Sequence, residues 1–284
     1  FALVTTGPMD IQGDINCKAY GVGGTNERFP GPGGYPAGLG PGAGENGNPH
    51  PSASSLRDGG GGGGGYGGAG GNSGPGEIGG HGGSTYGTPE LVPLIGGSGG
   101  GNGADAPGFG GPGGGACQFS SNANIRIGPT GIIDASGDGG GGAGARGGGG
   151  GAGSGGGILL EAQLIIIEGM VTANGGGGGS GSITQTTPGE PGSRGLPSLE
   201  PAAGGVSQLP IPIGEVGCDG GDGNSALEID GADNVCENTD DDGGGGGGGA
   251  GRLRFNSLDF EFFEESLSPA VSTSAMTQGT PAVR

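Results

Sequence analysis

Residues 147–179 read GGGGGAGSGGGILLEAQLIIIEGMVTANGGGGG, an apolar, β-branched run set between two stretches of almost pure glycine. The run favours a buried strand. The flanks consist of the residue that loses most backbone freedom on folding. A fold that keeps both ordered must pack the glycine as well as the strand.

Working outward, the same pattern recurs. IQGDINC (11–17) matches IEGMVTA (167–173), both I-x-G-x-[IV]-x-[AC], and GIIDA (131–135) repeats the second half after Ile127 and a two-residue insertion. Period-2 alternation precedes each copy, at Met9 and Ile11, Ile125 and Ile127, Ile165 and Ile167. Such alternation is a strand signal, with the internal glycine at a bend. A second motif marks the return from glycine: GGGACQF (113–119), GGGILL (155–160) and GAGRLRF (249–255). Their inward positions are expected to be Cys117 and Phe119, Ile158 and Leu160, Leu253 and Phe255. The segment 164–171 is apolar at consecutive positions and reads as a core strand covered on both faces. FEFFEES (260–266) admits a helical turn, although its alternation favours a strand.

Glycine makes up 87 of 284 residues, with 21 prolines, yet its unbroken runs at 59–65 and 243–249 lack the Gly-X-Y period of collagen. A disordered linker would share this composition, but matched strands between the tracts argue for order. Internal repetition predicts an all-β chain, an irregular stacked, solenoid-like strand core with almost no α-helix. The glycine tracts are expected to pack as polyglycine II helices, whose missing Cβ atoms let backbones pair closely. One domain is expected over 1–284, with an acidic loop insertion at 218–242 and a C-terminal tail at 268–284, either an extended edge or a flexible terminus.

The 28 acidic and 9 basic residues give a net charge of −19. That charge repels phosphate backbones and anionic lipid, so neither nucleic acid nor a membrane surface is an expected partner. The longest apolar run, 158–171, is interrupted by Glu161 and Glu168 and falls short of a membrane span. The chain begins at Phe1, which points to a processed or truncated product and to export.

Cys17, Cys117, Cys218 and Cys236 form no CxxC motif, so an even count fits two disulfides made in an oxidising compartment. Three pairings are open. Cys218 with Cys236 closes a short acidic loop and leaves Cys17 with Cys117 as a long-range staple. The segment CDGGDGNSALEIDGADNVCENTDDD offers Asp219, Asp222, Asp230, Asp233, Asp240, Asp241 and Asp242 as hard oxygen donors. These suit calcium, although the spacing matches no EF-hand, and a disulfide-closed, solvated surface loop is the favoured reading. No other cofactor is expected.

His50 and His81 lie in glycine- and proline-rich stretches without metal-ligand partners at fixed spacing, and no serine sits in a nucleophile elbow. No phosphate-binding G-x-x-x-x-G-K-[ST] occurs. A non-enzyme is expected. Phe255, Phe260 and Phe262 are assigned to a contact between copies, or to a cap on the stack. The four tyrosines either pack over glycine or remain exposed for sugar stacking.

MDIQGDINC, GIIDASGDGGGG, the 155–179 block and GGGGGGGAGRLRFN together resemble a family of large, secreted, glycine-rich bacterial surface or matrix proteins. The resemblance implies export and a surface location and no reaction. The tracts also look like those of polyglycine II bundle proteins, including an arthropod antifreeze protein and phage tail-tip adhesins. The short regular repeats of those proteins are absent here, so their ligands do not carry over. The expected role is an extracellular structural protein that assembles with its own copies into a filament, sheath or matrix. The alternative is a surface adhesin that binds glycan or ice.

Overall fold

The structure, a computed structural model, describes residues 1–21, 27–51, 58–74, 78–105, 107–182, 187–207, 217–234, 236 and 242–282. Its strands form three parallel sheets, and no α-helix occurs among the described residues.

The first sheet holds β1 (Ala2–Thr5), β6 (Ala116–Ser121), β9 (Gly157–Glu161), β12 (Arg252–Asn256) and β15 (Met276–Gly279), in that order. The second holds β2 (Met9–Ile11), β7 (Asn124–Ile127), β10 (Leu164–Ile167) and β13 (Asp259–Phe262). The third holds β3 (Asp14–Asn16), β8 (Ile132–Asp134), β11 (Met170–Thr172) and β14 (Leu267–Ser268). The chain visits first, second and third sheet in turn, four times, and then adds β15. A short antiparallel pair, β4 (Tyr20–Gly21) and β5 (Arg28–Phe29), stands apart.

Register follows the sequence repeat. Met9, Ile125, Ile165 and Phe260 form one row of the second sheet, and Ile11, Ile127, Ile167 and Phe262 the next. Cys117, Ile158, Leu253 and Met276 share a row of the first sheet, as do Leu3, Phe119, Leu160, Phe255 and Gln278. Cys117, Ile158, Leu253, Phe119, Leu160 and Phe255 are completely buried and belong to one apolar core with Ile125, Ile127, Ile133, Ile165, Ile167 and Val171. Burying each large side chain contributes roughly 1.5–3 kcal/mol, which makes these rows the main hydrophobic term.

Two expectations are corrected. Residues 164–171 do not form one strand covered on both faces: β10 ends at Ile167, and Leu164 and Ile166 are half-buried while Ile165 and Ile167 face the core. The chain turns at Glu168 and Gly169, where a Cβ on Gly169 would lie 2.1 Å from the Gly131 carbonyl oxygen. Residues 260–266 divide, the strand ending at Phe262 and a 3-10 turn occupying Glu264–Ser266. The tail contributes an edge strand, since β15 pairs with β12.

The glycine tracts are ordered and buried. Along 148–156 the hydrogen-bond partner rotates with period three. Gly148, Gly151 and Ser154 donate to Ala104, Gly101 and Ser98; Gly149, Ala152 and Gly155 to Gly243, Gly246 and Gly249; Gly150, Gly153 and Gly156 to Gly141, Asp138 and Ala135. Carbonyls of the same tract accept from Gly108, Gly111 and Gly114, from Gly61 and Gly64, and from Gly176 and Gly179. One tract therefore has six neighbours, and its backbone groups are satisfied by other tracts. Close approach requires glycine here: a Cβ on Gly148, Gly151 or Gly153 would stand 2.0–2.1 Å from a neighbouring carbonyl oxygen. Strands of the first sheet emerge from the tracts and strands of the third run back into them, as at 148–156 before β9 and 173–181 after β11.

Candidate functional site

The stack of sheets ends in unpaired strands at two places. At one end β1, β2 and β3 each pair on one side only. Phe1, Leu3 and Val4 are exposed there, Val4 by 70%. At the other end β13, β14 and β15 are outermost. Because β15 adds a fifth strand to the first sheet alone, the second and third sheets stop one strand lower. The resulting step holds an open groove of about 550 Å³ lined by Ser257, Leu258, Phe260, Phe262, Gln278 and Thr280.

The three phenylalanines assigned to a contact divide between core and groove. Phe255 is fully buried and has no surface to offer another molecule. Phe260 and Phe262 are partly buried on β13, their rings 4.7 Å apart, with Phe260 4.9 Å from Phe255. The inward row thus continues from the core to the open edge.

Both disulfides are present, Cys17–Cys117 and Cys218–Cys236. The first is buried and ties the chain just after β3 to β6; its surroundings include Cys17 N–H donating to Asp134 and Gly115 N–H donating to Cys17. Disulfides fit synthesis in an oxidising compartment. No helix among the described residues is long and apolar enough to cross a membrane.

The acidic segment is not a free loop and does not gather its carboxylates. Asp219 accepts the Ser207 N–H at 2.6 Å, Asp222 that of Gly204 at 2.8 Å, Asp230 that of Ala69 at 2.7 Å and Asp233 that of Asn72 at 2.6 Å. The four side chains complete the hydrogen bonding of two neighbouring segments, Asp219 and Asp222 that of 204–207 and Asp230 and Asp233 that of 69–72. Asp240 and Asp241 lie outside the described residues. Asp242 is turned into the array, where its two oxygens accept the N–H groups of Asp58 and Gly147. Among the described residues no three His, Cys, Asp or Glu side chains come together to hold a metal ion. The i, i+3 spacing of Asp219 with Asp222 and of Asp230 with Asp233 was the available signal, because a three-residue turn puts both members on one side.

The His50 N–H donates to Asp58, and the His81 carbonyl accepts the Glu45 N–H. Tyr66 is fully buried against Tyr86, ring centroids 4.6 Å apart, with the Arg252 guanidinium 5.6 Å over its ring. Burial raises the pKa of both phenols, most strongly through desolvation. Tyr20 is half-exposed and stacks on Phe29. On the outward face of the first sheet, Glu161 accepts from Gln118, Ser120 and Asn256 at 3.0–3.2 Å, a satisfied ladder across three strands. Lys18 pairs with the buried Asp134 at 3.0 Å. No protein-family model, curated protein or solved structure compared with this chain matches it.

Proposed function

We propose that the chain is a non-enzymatic extracellular structural protein of the glycine-rich surface or matrix type, in which a parallel β-solenoid is fused to a polyglycine II bundle. The period-three rotation of hydrogen-bond partners and the six-neighbour surroundings support the bundle. The threefold visiting order of the sheets supports the solenoid. Two disulfides support the location.

Copies associate end to end through the second and third sheets of the stack, with β1 of the incoming copy giving way to β15, which holds the next position in the first sheet. The observation that carries this reading is the pair of unpaired edges, one presenting Met9 and Ile11 on β2 and the other Phe260 and Phe262 on β13, in the same two rows of the second sheet. A heterologous contact of this kind grows into a fibre. Asp10 and Glu261 share the outward row between those two. Carboxylates would therefore face each other across the contact, and salt should strengthen it by screening.

Electron microscopy and sedimentation of the purified chain at low and moderate salt test this. Filaments that lengthen with salt, and that Phe260→Asp abolishes without unfolding the strands, are expected. A chain that stays monomeric at high concentration in salt overturns assembly and favours the adhesin reading, for which the exposed Tyr20–Phe29 pair is the available glycan-stacking surface.

A further inference from the structure

Inside the glycine array, tract N–H groups donate to tract carbonyls, as along 148–156. On its flanks the acceptor changes. The N–H groups of Gly204 and Ser207 donate to the carboxylates of Asp222 and Asp219, and those of Ala69 and Asn72 to Asp230 and Asp233. Donors and acceptors in each pair are three residues apart, about 9 Å along a three-residue turn. The first pair runs antiparallel and the second parallel.

Asparagine does the same elsewhere. Asn46 Oδ1 accepts the Asn102 N–H and Asn102 Oδ1 accepts that of Gly110, both at 2.8 Å, while Asn72 Oδ1 accepts the Gly82 N–H at 3.0 Å. The four aspartates, Asn46 and Asn72 are all exposed, so these caps stand at the boundary between array and solvent.

A period-three row of N–H groups is what one tract offers the next within the array, as Gly148, Gly151 and Ser154 offer it to Ala104, Gly101 and Ser98. Left open at 69–72 or 204–207, such a row would take one more glycine tract, and a second copy of the chain carries them. It would be the counterpart of an unprotected strand edge. A carboxylate only accepts, so it closes a row of donors without extending it, and it leaves charge facing outward.

We propose that these aspartate and asparagine side chains close the flanks of the array to the glycine tracts of other copies. Each cap occupies the donor that a foreign carbonyl would need, so tracts of two copies do not pair side by side. The inference concerns the flanks and stands apart from any contact between sheet ends.

Two full-length variants test it, with Asp219, Asp222, Asp230 and Asp233 all replaced, by Ala in one and by Asn in the other. Both lose four charges, and only asparagine keeps an oxygen acceptor at each place. Sedimentation velocity and amide exchange by NMR are followed against protein concentration. Association through the sheet ends would appear alike in the parent and both variants. In dilute Ala protein the amides of Ala69, Asn72, Gly204 and Ser207 should exchange about tenfold faster than in the parent, the equivalent of one hydrogen bond. On concentration the Ala protein should associate beyond the parent and regain protection at those amides, while the Asn protein follows the parent throughout. If the fourfold Ala protein does not fold, the 219/222 and 230/233 pairs are compared separately in the same way. Faster exchange without added association, association of the Asn protein equal to that of the Ala protein, or exchange unchanged in the Ala protein overturns the proposal.

Discussion

Replacing Gly151 by alanine probes the array at its centre. A Cβ there would lie 2.0 Å from the Gly62 carbonyl oxygen, 2.4 Å from the Gly62 carbonyl carbon and 2.7 Å from the Gly61 oxygen, where ordinary contact begins near 3.4 Å. The obstructing atoms are backbone, and their tract has neighbours of its own, so relief requires two tracts to separate by more than 1 Å. Overpacking of a close-packed interior costs about 1–3 kcal/mol. Separation also weakens the hydrogen bonds that join these two tracts, Gly61 to Gly149 and Gly64 to Ala152, each worth about 0.5–1.5 kcal/mol. A destabilisation of about 2–6 kcal/mol follows. The sign is diagnostic. In a disordered linker the change would be neutral, and at a compatible ordered site it would stabilise by about 0.4–1 kcal/mol through the unfolded chain. Gly13→Ala supplies the control, since nothing lies within 4 Å of a Cβ at that position. Urea unfolding with the disulfides intact measures both. A Gly151→Ala protein within about 0.5 kcal/mol of the parent would refute the packing argument, because surface substitutions have effects of that size.

Two further outcomes follow from the sheets. Ile165→Asp places a carboxylate in the fully buried row and should unfold the stack, whereas Ile166→Asp on the half-buried outer face should leave a folded protein; circular dichroism and thermal melting compare them. Peptide mapping without reductant should recover Cys17–Cys117 and Cys218–Cys236. Loss of the first bridge should cost more than loss of the second, because it spans 100 residues against 18; chain entropy gives about 4.7 kcal/mol for a loop near 100 residues and about 3 for one near 15.

The strand core was legible because side chains carry its pattern. Alternation at Met9 and Ile11, Ile125 and Ile127, and Ile165 and Ile167 gave the inward rows, and aligning the repeats reproduced the register now seen between β2, β7 and β10. The outer face of β10 misled because Leu164 and Ile166 are as apolar as their inward neighbours, and composition alone does not say how much of that face stays exposed. The cysteine count pointed to two bridges and the short acidic loop to their pairing, and the structure has the same two bridges.

For the acidic segment, the sequence offered many carboxylates and a plausible cation. The structure scattered them, since each accepts an N–H from whichever segment lies alongside. Asp58 and Asp242 are far apart in the chain and adjoin because their tracts run side by side.

What the sequence by itself determined is that strands alternate with glycine, and which side chains face inward, because β-branched and aromatic residues announce a period of two. What only the tertiary structure decided is which glycine tract lies beside which. Glycine has no side chain to mark one tract from another, so neighbours are assigned by the strands that anchor each tract and by the backbone hydrogen bonds that all tracts can make alike.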